Sequence, residues 1–399
     1  MANKIKFALF GAKRGEAFVR VLSYFENTKL VAVCDASKDN TENIKKFCPL
    51  DTEYYEDYEE MISSGGIDAV ILCNYFNEHA PAAIMALKKG IAVFSETIPA
   101  VTLRECVELC RAVEETNTLY MLAENYPYMK GPMYMKNLYE GGTLGKVMYA
   151  DGEYVHPMSA DKYEYYTPHT KHWRAVMPST YYLTHSLAPL IHMTNALPIA
   201  VNAKCVYSDE TKWELEGELK KDVGAAILCE MDNGAIFHIT GWAKYAPHGT
   251  WYRLCCMNGG AETLRNDTNR VRVTYNDWNV PNKESSESVI LSNFGDGSAA
   301  NKAGHGGGDY WVMSEFIDAF VNKKEPFFNV YKAAAMSAVG ILAWRSCMNS
   351  GKEYKIPNFF NENERKSYEN DTLSPFVNAQ GKITYPRSKY DNIDFEKEF

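Results

Sequence analysis

Two side chains suited to proton transfer, Tyr154 and His156, stand two residues apart in the stretch GEYVH. In an extended segment that spacing points both to the same face. His185 follows in YYLTHS, and imidazole is the side chain that passes protons most readily near neutral pH. Carboxylates end two apolar runs: Glu96 in VFSETIPAVT, with Thr97 next to it, and Glu124 in AENYPY. If those runs are strands of a parallel sheet, their C-terminal ends are where α/β proteins place chemistry. Together these groups could serve acid–base work on a small molecule. Each also has a plainer reading: a half-buried sheet aromatic for Tyr154, satisfied structural histidines for His156 and His185, and a helix-capping acid for Glu124.

The first turn, FGAKRGEAF, sets Gly11 and Gly15 between a strand and a predicted helix, which suits a backbone that approaches a pyrophosphate, a plain strand–helix turn being the alternative. It is not a clean G-x-G-x-x-G, because Lys13 and Glu16 fall on the later glycine positions when Gly11 is the first. Asp35 ends the second apolar run; a carboxylate there accepts from ribose hydroxyls and favours NAD over NADP. Asn74 would lie against the cofactor, and His79 would start the next helix, where capping or core packing is the alternative. In GHGGGDYW the glycines allow close wrapping of a ligand, His305 can reach into a site, and Asp309 can bind hydroxyls or cap the following helix. His169 and His172 lie three apart, but no Asp or Cys accompanies them closely, so no metal is expected.

These groups need elements to hold them. KIKFALFGA, KLVAVCDA, DAVILCNY, IAVFSET and LYMLAENY are short apolar runs separated by amphipathic stretches, a pattern that predicts a doubly wound parallel α/β sheet. Beyond Tyr128 the helical GPMYMKNLYEGG precedes alternating segments, KVMYADGEYVH, IAVNAKCVY, GAAILCEMD and AIFHITGWA, which predict an α+β region with an open-faced, mostly antiparallel sheet. Two helices broken at Pro326 follow, then a polar, Tyr-dotted tail expected to lie as an arm on the surface or on a neighbouring subunit.

With 399 residues, 46% of them hydrophobic, and a formal charge of −9, the chain can bury a large core. No basic run invites nucleic acid or an anionic membrane, so a small-molecule partner is expected. No segment is long enough to span a bilayer, and the start reads as a first strand, so a cytoplasmic protein is expected. The ten cysteines lack C-x-x-C spacing and read as reduced core thiols.

The stretch DAVILCNYFNEHAPAAIMALKKGIAVFSETIP resembles the strand–helix–strand of the Gfo/Idh/MocA oxidoreductases, whose motif at its end is usually Glu-Lys-Pro. The resemblance implies an NAD-binding Rossmann domain over 1–125, a substrate and oligomerisation domain over 126–350 and an arm over 351–399, with a homo-oligomer expected. Glu96 is kept, whereas Thr97 and Ile98 replace the lysine that assists hydride transfer in typical members. SETIPAVT, AENYPY, GEYVH, HWR, STYYLTHSLAPL and HGGGDY resemble, in order, the NAD-dependent glycoside hydrolases of family 109.

That branch implies cofactor contacts from Gly11, Lys13, Arg14, Gly15, Asp35, Asn74, His79, Glu96, Thr97, Asn125, Trp173 and Arg174. It implies proton transfer by Tyr154, His156 and His185 with help from Glu124, and substrate contacts from Tyr181, Tyr182, His305 and Asp309. The reaction it implies oxidises a sugar 3-hydroxyl with bound NAD, removes the acidified C2 proton, expels the C1 substituent, adds water and returns the hydride, with no net redox change. A sugar or inositol dehydrogenase with net NAD(H) turnover and a catalytically inactive nucleotide-binding scaffold are the alternatives.

Overall fold

The computed structural model describes residues 4–167, 172–208, 220–265, 267–291 and 298–391. The chain divides into two compact units, the first made of Met1–Ala100, Glu105–Met129 and Asn293–Ala334, the second of Val101–Arg104, Lys130–Ser292 and Ala335–Phe399.

In the first unit β1 (Ile5–Phe10), β2 (Thr28–Cys34), β3 (Glu53–Tyr55), β4 (Ala69–Leu72), β5 (Ala92–Ser95) and β6 (Tyr120–Leu122) form a parallel sheet in the order β3-β2-β1-β4-β5-β6. The five expected runs are all strands. The sixth, β3, is a three-residue edge strand with exposed or half-buried side chains, too short to show a period. Every residue of β4 and β5 is buried; successive strand residues point to opposite faces, so both faces are covered. The connections are helical: α1 (Ala12–Leu22), α2 (Lys38–Lys45), α3 (Tyr58–Ser63), α4 (His79–Lys88) and α5 (Leu103–Thr116).

The second unit carries β7 (Val147–Val155), β8 (Pro198–Tyr207), β9 (Asp222–Met231), β10 (Ile236–Thr240), β11 (Gly249–Cys256), β12 (Gly259–Leu264), β13 (Asp267–Tyr275), β14 (Ser286–Ile290) and β15 (Tyr354–Lys355). They form one sheet in the order β14-β13-β12-β11-β7-β10-β9-β8-β15, antiparallel throughout except between β7 and β10. From Ala225 onward β9 alternates buried and exposed residues, the mark of a sheet packed on one face only. Helices α6 (Lys130–Glu140), α7 (Ala160–Tyr166), α8 (Trp173–Val176) and α9 (Thr184–Thr194) belong to this unit. A Cβ at Gly152 of β7 would lie 2.1 Å from the Ser186 carbonyl oxygen of α9, so glycine lets this helix sit directly on the sheet. β11 and β12 escape the sequence pattern because the Gly259–Gly260 pair reads as a turn.

The expected second domain runs over 126–350. Instead α10 (Ala299–Lys302) and α11 (Gly308–Asn322) belong to the first unit, before α12 (Val330–Met348). The reason is a phenylalanine cluster: Phe18 of α1 meets Phe94 of β5 edge-on at 5.2 Å, and Phe94 and Phe7 of β1 meet Phe316 of α11 at 5.2 and 5.9 Å. Burying each ring stabilises the unit by about 1.5–3 kcal/mol. The tail also departs from a surface arm. As far as Asp391 it is woven into the second unit: Phe376 and Tyr385 are buried, Trp344 Nε1 donates to the Pro386 carbonyl at 2.7 Å, and Arg345 pairs with Asp371 through two 2.6 Å contacts. Isolated buried aromatics in a polar stretch leave no period to read.

Candidate active site

The first unit supplies the groups expected around a dinucleotide. Gly11 precedes α1 with φ +97°, and a Cβ there would fall 2.3 Å from the Cys73 carbonyl oxygen; only glycine fits. At Gly15 a Cβ would fall 2.3 Å from Leu9 Cδ1, so this residue serves close helix–strand packing. The two glycines thus divide turn and packing over a G-x-x-x-G spacing. Asp35 accepts from the N–H of Ala12 (2.8 Å), from the N–H of Ser37 (2.8 Å) and from Asn40 Nδ2. Its carboxylate therefore closes the turn. Lys13 is exposed, and Arg14 pairs with Glu96.

Both side-chain polar atoms of Asn74, the Thr97 hydroxyl and Asn125 Oδ1 are buried with no hydrogen-bond partner among the described residues. Leaving such a group unpaired costs about 1–3 kcal/mol, so a cluster of them marks a place kept for a polar ligand. Glu96 Oε2 accepts from the N–H of Thr97 at 3.1 Å, and the peptide bond from Thr97 to Ile98 is cis.

His79 lies between two backbone carbonyls. Its Nδ1 lies 2.9 Å from the Ile98 carbonyl and its Nε2 3.2 Å from that of Asn74, and burial holds its pKa below the ordinary value. It ties two loops together. Glu124 is fully buried, and its Oε1 accepts from the N–H of Tyr126 at 3.3 Å. That bond fits the capping role. Asp309 is likewise buried, bridging Asn125 Nδ2 (2.6 Å) and His305 Nδ1 (3.0 Å). Burial alone would lower the His305 pKa and raise that of Asp309, but their mutual hydrogen bond and charge outweigh it, so His305 is raised and Asp309 lowered.

The second unit gathers the proton-transfer candidates. Tyr154, on β7, has its ring 4.8 Å from that of His185, 5.7 Å from that of His156 and 5.7 Å from that of Tyr182. His185 stands on α9, and its Nε2 is 3.3 Å from the Tyr182 hydroxyl, while its carbonyl accepts from the Tyr252 hydroxyl at 2.7 Å. His156, just past β7, is anchored through its backbone: its N–H donates to Ala243 and its carbonyl accepts from Trp242 Nε1. Burial, then the charges of His248, Arg174, His185 and Lys162, push its pKa down to about 4, so its ring is neutral near pH 7.

Arg174 and Trp173 also belong to this unit. The guanidinium lies 4.5 Å from the Trp173 ring and 5.6 Å from the Trp242 ring, and its Nε is buried without a partner among the described residues. Tyr181 is buried under the returning tail, edge-on to Phe376 at 5.2 Å, whereas its neighbour Tyr182 joins the cluster. His169 lies outside the described residues; His172 Nδ1 accepts from the N–H of Arg174 at the start of α8. Sequence reasoning missed His248 and Trp242. His248, in KYAPHGT, faces His156 with ring centroids 4.7 Å apart, and nothing in its local pattern marks it.

Comparison with known proteins agrees with this layout. Residues 5–124 match the oxidoreductase family with an NAD-binding Rossmann fold, and residues 287–365 match the glycosyl hydrolase 109 C-terminal domain. Glycosyl hydrolase family 109 protein 1 of Akkermansia muciniphila is 24% identical over 90% of this chain and 82% of its own length. The alpha-N-acetylgalactosaminidase of Tannerella forsythia is 24% identical over 89% of this chain and 86% of its own. Among solved structures, a levoglucosan dehydrogenase in complex with NADH and levoglucosan superimposes with a TM-score of 0.73 at 15% identity, covering 89% of this chain and all of that one. The myo-inositol 2-dehydrogenase of Lactobacillus plantarum gives 0.70 at 20% identity and 89% coverage of this chain; at such identities the likeness is one of fold. Residues 5–124 therefore carry the NAD-binding Rossmann domain of the Gfo/Idh/MocA oxidoreductases, and residues 287–365 the glycosyl hydrolase 109 C-terminal domain.

Proposed function

We propose that this protein is an NAD-dependent glycoside hydrolase that works by elimination and water addition with no net redox change. The observation that carries the reading is the clustering of Tyr154, His156, His185 and Tyr182 in a chain that has Thr97 after Glu96 where a dehydrogenase of this family has lysine. The buried, unpaired polar atoms of Asn74, Thr97 and Asn125 and the tight turn at Gly11 fit a dinucleotide, with Asp35 for the ribose; Trp173 and Arg174 join them by resemblance. When bound, NAD supplies reversible oxidation of the sugar 3-hydroxyl to a ketone, which acidifies the C2 hydrogen and lets the C1 substituent leave.

The protein's own residues then manage protons. Tyr154 and His185 take the protons from the C3 hydroxyl and from C2, the Tyr182 hydroxyl holding the imidazole in place. His156, kept neutral, donates a hydrogen bond from one ring nitrogen to the enolate oxygen or the departing group, which a neutral imidazole does without becoming a strong acid. His305, whose pKa the neighbouring Asp309 raises, binds substrate hydroxyls. No opposed pair of carboxylates is needed, unlike an ordinary glycosidase.

The test is incubation with aryl glycosides in deuterated water without added cofactor, starting with an N-acetylgalactosaminide in view of the relatives' names. Sugar release with deuterium at C2 and no accumulated NADH is expected. Stoichiometric NADH would instead make the protein a dehydrogenase, and neither product would leave a binding scaffold.

A further inference from the structure

The rings of the second unit form a graded series from core to solvent. His185 and Tyr154 are buried, His156 is half-buried and His248 is exposed. Successive centroids are 4.8 Å apart from His185 to Tyr154, 5.7 Å from Tyr154 to His156 and 4.7 Å from His156 to His248. The last contact is built into the sheet. β11 pairs with β7 through Thr250 opposite Tyr154 and Gly249 opposite Val155, and one further step in that register sets His248 opposite His156. Cross-strand neighbours on one face meet side chain to side chain, so the juxtaposition follows from strand pairing and not from a chance loop conformation. His156 Nδ1 is buried and has no hydrogen-bond partner among the described residues, which leaves a ring nitrogen uncommitted.

We propose that His156 and His248 are a proton relay connecting the buried Tyr154–His185 pair to solvent, and that the proton taken from the substrate exchanges with water through His248. This rests on the glycosidase reading. The proton leaves C2 with its bonding electrons remaining as the enolate, passes to the buried base, and is delivered outward as His156 accepts on one ring nitrogen and releases from the other. An equivalent proton returns to C2 when water has added, so no co-reactant is needed. The charged and titratable groups that face His156 are His248, Arg174, His185 and Lys162, with Tyr154 stacked against it. The cations among them disfavour a resting imidazolium, so the ring shuttles by exchanging tautomers. His248 acts through His156 and is a positioning residue.

Two measurements on the full-length His248→Gln variant decide the matter. In deuterated water, deuterium gained at C2 per sugar released from an aryl glycoside falls several-fold relative to the unsubstituted protein, whatever the change in kcat, because the abstracted proton is returned before it exchanges. An unchanged ratio overturns the relay. Independently of activity, ring NMR of His156 shows its titration moving to higher pH in the variant; an identical titration overturns the pairing. If neither protein releases sugar while the His156 titration still shifts, the glycosidase reading has failed and the histidine coupling stands.

Discussion

His79 Nε2 lies 3.2 Å from the carbonyl oxygen of Asn74, so a buried imidazole fixes the backbone of a residue whose own amide is left without partners among the described residues. A folded chain that spends no hydrogen bond on a buried amide gains nothing from it until a ligand arrives. Asn74→Ala should therefore weaken NAD binding about tenfold, equivalent to roughly 1.4 kcal/mol, while leaving the Tm of the cofactor-free protein unchanged or higher. Calorimetric titration and thermal melts read the two effects separately, and a drop in Tm with unaltered affinity would assign Asn74 to the core.

The first turn should be intolerant of any side chain. In Gly11→Ala the new Cβ would meet the Cys73 carbonyl at 2.3 Å and a left-handed φ. A loss of more than about 2 kcal/mol is expected from clash and backbone strain together, with NAD binding abolished. Denaturant unfolding measures the first and fluorescence quenching on cofactor addition the second.

Neighbouring tyrosines should respond in opposite ways. Tyr154→Phe should lower kcat/KM by about 10²–10⁴ if the phenol transfers a proton, with little change in Tm. Tyr181→Phe, a change under the tail beside Phe376, should alter stability and spare catalysis. Steady-state kinetics alongside melting curves distinguish them.

Stability should fall in mild acid. His156 titrates near 4 in the folded chain against an ordinary 6.5, and His79 is also lowered by burial. The unfolded chain thus binds more protons below about pH 6.5, and the stability present above that value is lost as pH falls toward 4. His156→Gln should flatten that slope in urea titrations run across this range. His305 works with the opposite sign: its pKa is raised, so its contribution is full below 6.5 and fades as pH rises through the folded value.

The Asp309 carboxylate should be the more sensitive member of its pair. Asp309→Asn leaves the buried Asn125 amide and the His305 ring without their anionic acceptor. A cost on the order of 2 kcal/mol is expected, together with a lower His305 pKa seen by ring NMR. Retention of both would show that the bridge holds nothing in place.

Part of this arrangement was legible in local pattern. The apolar runs ending at Phe10, Cys34, Leu72, Ser95 and Leu122 report burial on both faces within a few residues, and an i, i+2 spacing alone aligns Tyr154 with His156. Other features have no local signature. The β7–β11 register decides that His248 meets His156, residues whose numbers differ by 92. Phe316 draws 293–334 into the first unit, and Phe376 covers Tyr181 while Tyr182 stays with the cluster.

The sequence by itself determined the alternating strand–helix plan, the glycines its first turn demands, and the residue types available for moving protons, because each depends on sterics and periodicity over a single element. Only the tertiary structure decided which of those residues are spent on the fold. Both ring nitrogens of His79 are claimed by backbone partners, while Asn74 and His156 keep polar atoms unpaired among the described residues. Hydrogen-bond satisfaction is settled by what packing brings within about 3 Å, and no stretch of sequence carries that information alone.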